Sequence, residues 1–330
     1  MSETITRDSA SSRIARGPAR LRLATLALYV FVALVAALVL VGAFTTQGFL
    51  TAINFRAILT STAFVGIMAV GATLIMLGGS LFSISLGLTT ALTSIVFMYA
   101  LNFGIVPAIV AALAAGTLIF TIQGAIIGAI GANPIIVTIG AGAIQDGLIG
   151  WFSPGDIVPP PGADIDFLAR TVFGLPVSVY VFLALGLVTD LWVRRSRFGR
   201  ELYMLGENHS AARAAGLPVE KLTIAAFAVA GFCVAIAAIL IAGFDRNVNL
   251  QVQGTYTFDV IAAILVGGNT VTGGRGSVGR TVVGALIIAT ISDILLLLGA
   301  STGMQIFVKG LIVLSVVVLL HLTQREGRPS

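Results

Sequence analysis

Long uncharged apolar runs constrain this chain before any single residue does. Residues 23–41, LATLALYVFVALVAALVLV, carry no charge, and the stretches 57–77, 105–129 and 222–243 are of the same kind. A run of roughly 18 or more such residues can cross the hydrocarbon of a bilayer as a helix. The composition agrees: 57% of the residues are hydrophobic and 10% charged, where a soluble domain carries about 25% charged residues. A helix satisfies its own backbone in lipid, so the predicted class is an all-α polytopic membrane protein.

About ten spans are predicted, near 22–43, 57–77, 82–101, 105–129, 135–152, 175–193, 222–243, 258–268, 281–299 and 304–321. Residues 1–21 read as a basic disordered tail, 22–321 as one transmembrane domain and 322–330 as a second short tail. A polar loop, 194–221, interrupts the domain. Its charges decide orientation through the positive-inside rule. Arg194, Arg195, Arg197, Arg200, Arg213 and Lys221 lie there, while the loops on the other side hold Arg56, Arg170 and Arg246. The expected arrangement puts this loop and both termini in the cytoplasm. The same bias explains the net charge of +5 without nucleic acid. Cys233 alone, with His209 and His321, offers no disulfide and no metal site, and no cofactor is implied.

The Gly78-Gly79 and Gly267-Gly268 pairs break apolar runs in the two halves, "LIMLGGSLFSISLG" and "AAILVGGNTVTGGRG". Broken helices in two halves point to an internal inverted repeat around a central path. "GRGSVGRT", 274–281, has the spacing of a phosphate-binding loop but lacks the strand and soluble domain that such a loop requires, so it reads as a tight turn. Gly124 and Gly128 form a helix-packing pair. Asp293 and Lys309, at similar depth in spans 9 and 10, are candidates for an intramembrane ion pair. Asp146 and Asp259 fall near the outer ends of spans 5 and 8. In the polar loop, "RRSRFGRE" reads as a basic interfacial edge. "NHSAARAAG" reads as a short helix capped by Asn208 or Ser210 and ended by Gly216.

On these residues the chain resembles permease subunits of ribose-type sugar ABC importers. "RSRFGRELYMLGENHSAARAAGLPVEKL" is similar to their ATPase-coupling segment, and "FDVIAAILVGGNTVTGGRGSVGRTVVGAL" to a second signature. "FLTAINFRAIL" and "NPIIVTIGAGAI" match earlier parts, and the likeness covers about residues 45–320. The resemblance implies a non-catalytic transport subunit of the bacterial inner membrane. It also implies a second permease copy, identical or not, a separate ATP-binding subunit and a periplasmic substrate-binding protein. Gly206, Glu207, Asn208, Ala211, Ala212 and Gly216 would then dock on the ATPase. The chain departs from the family pattern at Leu81, Asp146 and Thr257, where the family carries an acid, an arginine and an acid.

The expected function is import of a monosaccharide or related polyol by alternating access, driven by the ATPase partner. Gly78, Gly79, Ser83, Asn133, Thr138, Asp259, Gly267, Gly268 and Asn269 are the residues assigned to the path. Hydroxyls, amides and backbone suit a sugar better than fixed charges do. An ion-gradient-driven secondary transporter is the alternative; it would need coupling carboxylates within the membrane, for which Asp293 is the mid-span candidate. A non-transporting membrane receptor or scaffold is a third reading.

Overall fold

The computed structural model describes residues 48–80, 82–152, 157–158, 165–246 and 248–325, with positions 40, 42, 44 and 46 ahead of them. Predicted span 1, both tails except 322–325, Leu81 and most of the loop 153–164 lie outside the described residues. The chain divides into Met1–Gln47 and Gly48–Ser330. In the first unit, Thr46 N–H bonds the Gly42 carbonyl at 3.0 Å, a helical turn. All that follows concerns the second.

Its helices are α1 (Ala52–Leu77), α2 (Leu86–Ala100), α3 (Ile105–Ile130), α4 (Pro134–Phe152), α5 (Asp166–Ala169), α6 (Val177–Arg195), α7 (Arg197–Glu207), α8 (His209–Ala214), α9 (Val219–Asp245), α10 (Leu250–Val266), α11 (Val278–Leu297) and α12 (Thr302–Arg325). Seven helices among the described residues are long and apolar enough to cross a membrane; α10 and α12 contribute the shorter apolar stretches Thr255–Val266 and Thr302–Val316. Among the described residues, four two-residue strands make two antiparallel pairs: β1 (Ile157–Val158) with β4 (Val248–Asn249), and β2 (Thr171–Val172) with β3 (Leu175–Pro176).

Helix α1 is apolar all round and sits at the centre, in keeping with a helix buried on every side. Thr51 caps it by accepting from the Asn54 amide at 3.2 Å. It packs on α9 and α11, while α9 packs most closely on α3. Lipid tails are as apolar as the helices, so close van der Waals contact between small residues must drive this association. A Cβ at Gly116 would come within 2.9 Å of Ala235 Cβ, one at Gly124 within 2.7 Å of Phe227 Cβ and one at Gly128 within 3.0 Å of the Glu220 carbonyl. The Gly124–Gly128 pair therefore seats α3 against α9 of the same chain.

Three expectations need correction. The basic edge after span 6 is helical: α7 is amphipathic, buries Leu202 and Leu205 and starts from a Ser196 cap on the Gly199 amide at 3.1 Å. Phe198 stacks on Trp192 of α6 with ring centroids 4.8 Å apart. Predicted span 8 begins earlier than expected, at Leu250, where polar residues continue the helix beyond its apolar stretch. Finally, each glycine pair follows the end of a helix, Gly78-Gly79 after α1 and Gly267-Gly268 after α10, so neither breaks a helix in its middle.

Candidate functional site

At the end of the bundle that carries Arg194–Arg213, several backbones meet with no side chains between them. Helix α1 stops at Gly78, whose N–H bonds Leu74 at 3.1 Å, and Gly79 turns away with φ +78°. Helix α10 stops the same way: Gly267 N–H bonds Ala263 at 3.0 Å and Gly268 has φ +80°. A left-handed residue at this position suits glycine, which has no Cβ to clash. The loop after α10 then folds over the end of α1, and Gly274 N–H bonds the Leu77 carbonyl at 3.0 Å. Helix α7 closes the junction. A Cβ on Gly206 would overlap the Leu77 carbonyl oxygen, one on Gly274 would approach Glu207 N to 2.6 Å, and one on Gly79 would approach Gly206 Cα to 3.2 Å.

Side chains lock the same loop. Asn269 is almost fully buried. Its Nδ2 donates to the Ile264 carbonyl and Thr281 Oγ1, both at 2.9 Å, and its Oδ1 accepts from Ser277 N–H at 2.7 Å. Thr281 Oγ1 lies 2.7 Å from Thr73 Oγ1 of α1. Tyr203 of α7 donates to the Gly276 carbonyl at 2.9 Å, and burial pushes its phenol pKa up. Asp190 of α6 accepts from the Gly279 amide at 3.2 Å. The segment read as a simple tight turn thus binds α1, α6, α7 and α11 together.

Helix α8 projects from this junction. Asn208 is its cap, accepting from Ala211 N–H at 3.0 Å, and Ser210 Oγ donates to the same Asn208 oxygen at 2.7 Å. Gly216, φ +76°, ends it, with Leu217 N–H bonded to the Ala212 carbonyl at 3.1 Å. Ala212 is turned inward onto Leu205, Val219 and Leu222, because that position completes the small apolar seat under α8. Ala212 therefore fastens the helix and is not a free contact. Glu207, Asn208, Ala211 and Gly216 are exposed and Gly206 is half-buried.

The other assigned path residues separate. Asn133 is exposed and accepts from Ile135 N–H at 2.9 Å at the start of α4. Ser83 and Thr138 are buried; Ser83 Oγ lies 3.2 Å from Ser85 Oγ, beside Gln123, and Thr138 lies on the buried face of α4 with Gly142 and Gln145. The expected Asp293–Lys309 pair is replaced by another. Lys309 Nζ lies 2.6 Å from Asp259 Oδ1, tying α12 to α10, with both side chains at most 10% exposed. Asp293 instead accepts from Asn54 Nδ2 at 2.8 Å, tying α11 to the start of α1. Similar depth in adjacent spans did not decide the partner, because Asp259 projects from a third helix toward the same lysine.

Residues 54–317 match the family described as "Branched-chain amino acid transport system / permease component". The chain is 35% identical over 165 residues, half of each protein, to "Probable ABC transporter permease protein YphD" of Escherichia coli K12. It is 33% identical over 147 residues to "Ribose import permease protein RbsC" of Haemophilus influenzae, covering 44% of this chain and 46% of that one. It is also 33% identical over 156 residues to "L-arabinose transport system permease protein AraH" of E. coli K12, covering 47% and 48%. The chain spans about half the length of the curated relatives it matches. No solved structure matches it.

Proposed function

We propose that this chain, which belongs to the branched-chain amino acid transport system permease family, is the membrane-spanning subunit of an ATP-driven importer for a monosaccharide or related polyol. The family is one of transport permeases, not enzymes, and relatives named for ribose and arabinose support the solute class. One observation carries the mechanism: α8 stands exposed on a junction whose backbones touch α1, α7 and the loop into α11. A separate ATP-binding subunit gripping Glu207, Asn208, Ala211 and Gly216 would move α7 with it. Contacts this close leave little slack between α7 and the ends of α1 and α10.

In this reading the basic end faces the cytoplasm, and a substrate-binding protein approaches the end that carries Arg56, Arg170 and Arg246. Asp146 supports pairing with a second permease. It is exposed on α4, two turns along the same face from exposed Ile139, and a carboxylate facing lipid is costly. A second copy, identical or not, would cover it. Asp259 and Asp293 have local partners, Lys309 and Asn54, which weighs against an ion-coupled carrier.

The test is a cysteine at Ala211 in the complex assembled with the ATPase, with cysteine at inward-facing Ala212 as control. Cys233 is buried and gives little background. Cross-linking to the ATPase is expected at 211 and absent at 212. No cross-link at 211 in an assembled complex, or uptake that persists without the ATPase, would overturn the proposal.

A further inference from the structure

We infer that the buried amide and hydroxyl cluster at the start of α2 is a binding site for an uncharged, polyhydroxylated solute, with Gln123 as a principal contact. The inference rests on the import reading and gives it a location inside the chain.

The cluster is drawn from four helices and the link before α2. Ser85 Oγ donates to Gln123 Oε1 of α3 at 3.1 Å, with Ser83 beside it. One turn on, Thr89 Oγ1 donates to Gln145 Oε1 of α4 at 2.8 Å. From α10, Thr257 Oγ1 accepts the Gly87 amide at 2.8 Å and so caps the first turn of α2. Gly142 of α4 faces Ser85, and a Cβ built on it would stand in ordinary contact with Leu88 Cδ1 at 3.4 Å and Ser85 Cβ at 3.7 Å, so a bare backbone face of α4 lies against the cluster.

One polar group in this cluster is left over. Gln123 is 2% exposed, yet its Nε2 has no partner. Turning the amide over exchanges which end is spare and leaves one spare either way. A buried unpaired amide costs about 1–3 kcal/mol, and within a bilayer no water relieves it. Buried side-chain polar atoms are paired in the large majority of cases; among the described residues Thr93 Oγ1 and Ser178 Oγ are unpaired too, but neither is bonded into this cluster. An amide that is filled during only part of a transport cycle accounts for Gln123.

Position agrees. Thr257 lies ten residues before Gly267 at the junction; at about 1.5 Å per helical residue that is about 15 Å, near half of an approximately 30 Å hydrocarbon layer. The backbone at Gly78–Ser80 and Phe82–Ser85 is not helical, and irregular backbone at that depth occurs where it is buried in protein or lines a cavity. Side-chain amides, hydroxyls and the first-turn amides of α2 offer donors and acceptors. The nearest charge in sequence, Asp259, is held by Lys309. Such a lining suits ring and hydroxyl oxygens and lacks a free cation for a carboxylate or phosphate.

The test uses the full importer complex carrying Ser83→Cys. Labelling by a small charged thiol reagent is followed during ATP cycling, with and without a saturating mixture of D-ribose, L-arabinose, D-galactose and xylitol. Labelling is expected, slowed about tenfold by the mixture, which corresponds to about 1.4 kcal/mol of occupancy. Adding Gln123→Ala, or the milder Gln123→Asn, should remove most of that protection, while co-purification of the ATPase with the permease reports an intact complex. Cysteine that never labels, or labelling that no solute slows, overturns the site. Uptake of the same solutes, measured in parallel, separates the two ideas. Uptake without protection removes the site and keeps the importer; protection without uptake keeps the site and removes the import reading.

Discussion

Replacing Lys309 by methionine tests the most consequential geometric finding, because it asks which acid the lysine serves. The substitution keeps length and apolar bulk but leaves the Asp259 carboxylate, buried on α10, with no cation. Removing one partner of a buried pair costs about 3–5 kcal/mol, whereas replacing both by apolar or neutral groups of similar size is often neutral or better. Lys309→Met is therefore expected to destabilise by that amount, and Lys309→Met with Asp259→Asn to recover most of it. The coupling is expected to be about 2–4 kcal/mol, well beyond the additivity of independent sites. Asp293→Asn should cost less, about 1–3 kcal/mol for one charge-assisted bond from Asn54, and should add to Lys309→Met without coupling. The surface pairs Arg194–Asp190 and Arg197–Glu201, whose arginines are 59% and 83% exposed, serve as controls worth at most about 1 kcal/mol. Equilibrium unfolding of the purified protein in mixed detergent–SDS micelles reads every corner of the cycle. Coupling of Lys309 to Asp293 and not to Asp259 would refute the assignment.

Gly206→Ala places a methyl on the Leu77 carbonyl. Overpacking of this kind costs about 1–3 kcal/mol, and ATP hydrolysis in the complex is expected to continue while solute uptake falls; matched loss of both would count against the junction as the link. Asn208→Ala removes the cap of α8 and should cost about 1 kcal/mol, seen as faster hydrogen exchange confined to residues 209–217. Tyr203→Phe deletes one bond to the Gly276 carbonyl and should cost about 1 kcal/mol, with exchange rising in the 269–277 loop.

Helix existence was readable because lipid forces it: an uncharged run long enough to cross must be helical, and α1, α3, α4, α6, α9 and α11 lie within a few residues of their predicted spans. The coupling segment was only half readable. Asn208 and Gly216 announce α8 by local cap chemistry, but α7 hides behind its arginines, since its apolar face is just Leu202 and Leu205 with their neighbours. Gly273, Gly274 and Gly276 look like flexible punctuation in sequence; their purpose is close backbone approach to residues far away in the chain. Gln123 and Gln145 were missed, because polar residues scattered through apolar spans do not announce which of them meet across helices. Partner choice for Lys309 was not legible, because it depends on how α10 turns relative to α12.

The bonds along α1 divide the bundle into parts that move together and parts that can separate. Asn54 holds Asp293 at one end of α1, Thr73 meets Thr281 near the other, and Leu77 binds the loop that leads into α11. Helices α1 and α11 are thus joined along their length, while α2 is tied to α1 by the link between Gly78 and Ser85 and by a single long contact, Thr90 Oγ1 to Met68 Sδ at 3.4 Å. In the proposed cycle, a pull on α7 would carry α1 and α11 as one body and concentrate displacement in that link, beside Gln123. Cysteines at Thr73 and Thr281, whose hydroxyl oxygens are 2.7 Å apart, place two sulfurs close enough to bridge. Oxidising that pair should leave ATP-driven uptake within about twofold of the reduced protein, a change of about 0.4 kcal/mol, because it locks together helices that already move together. Uptake that stops on oxidation and returns on reduction would show that α1 and α11 slide past each other, and the moving boundary would then have to lie between them.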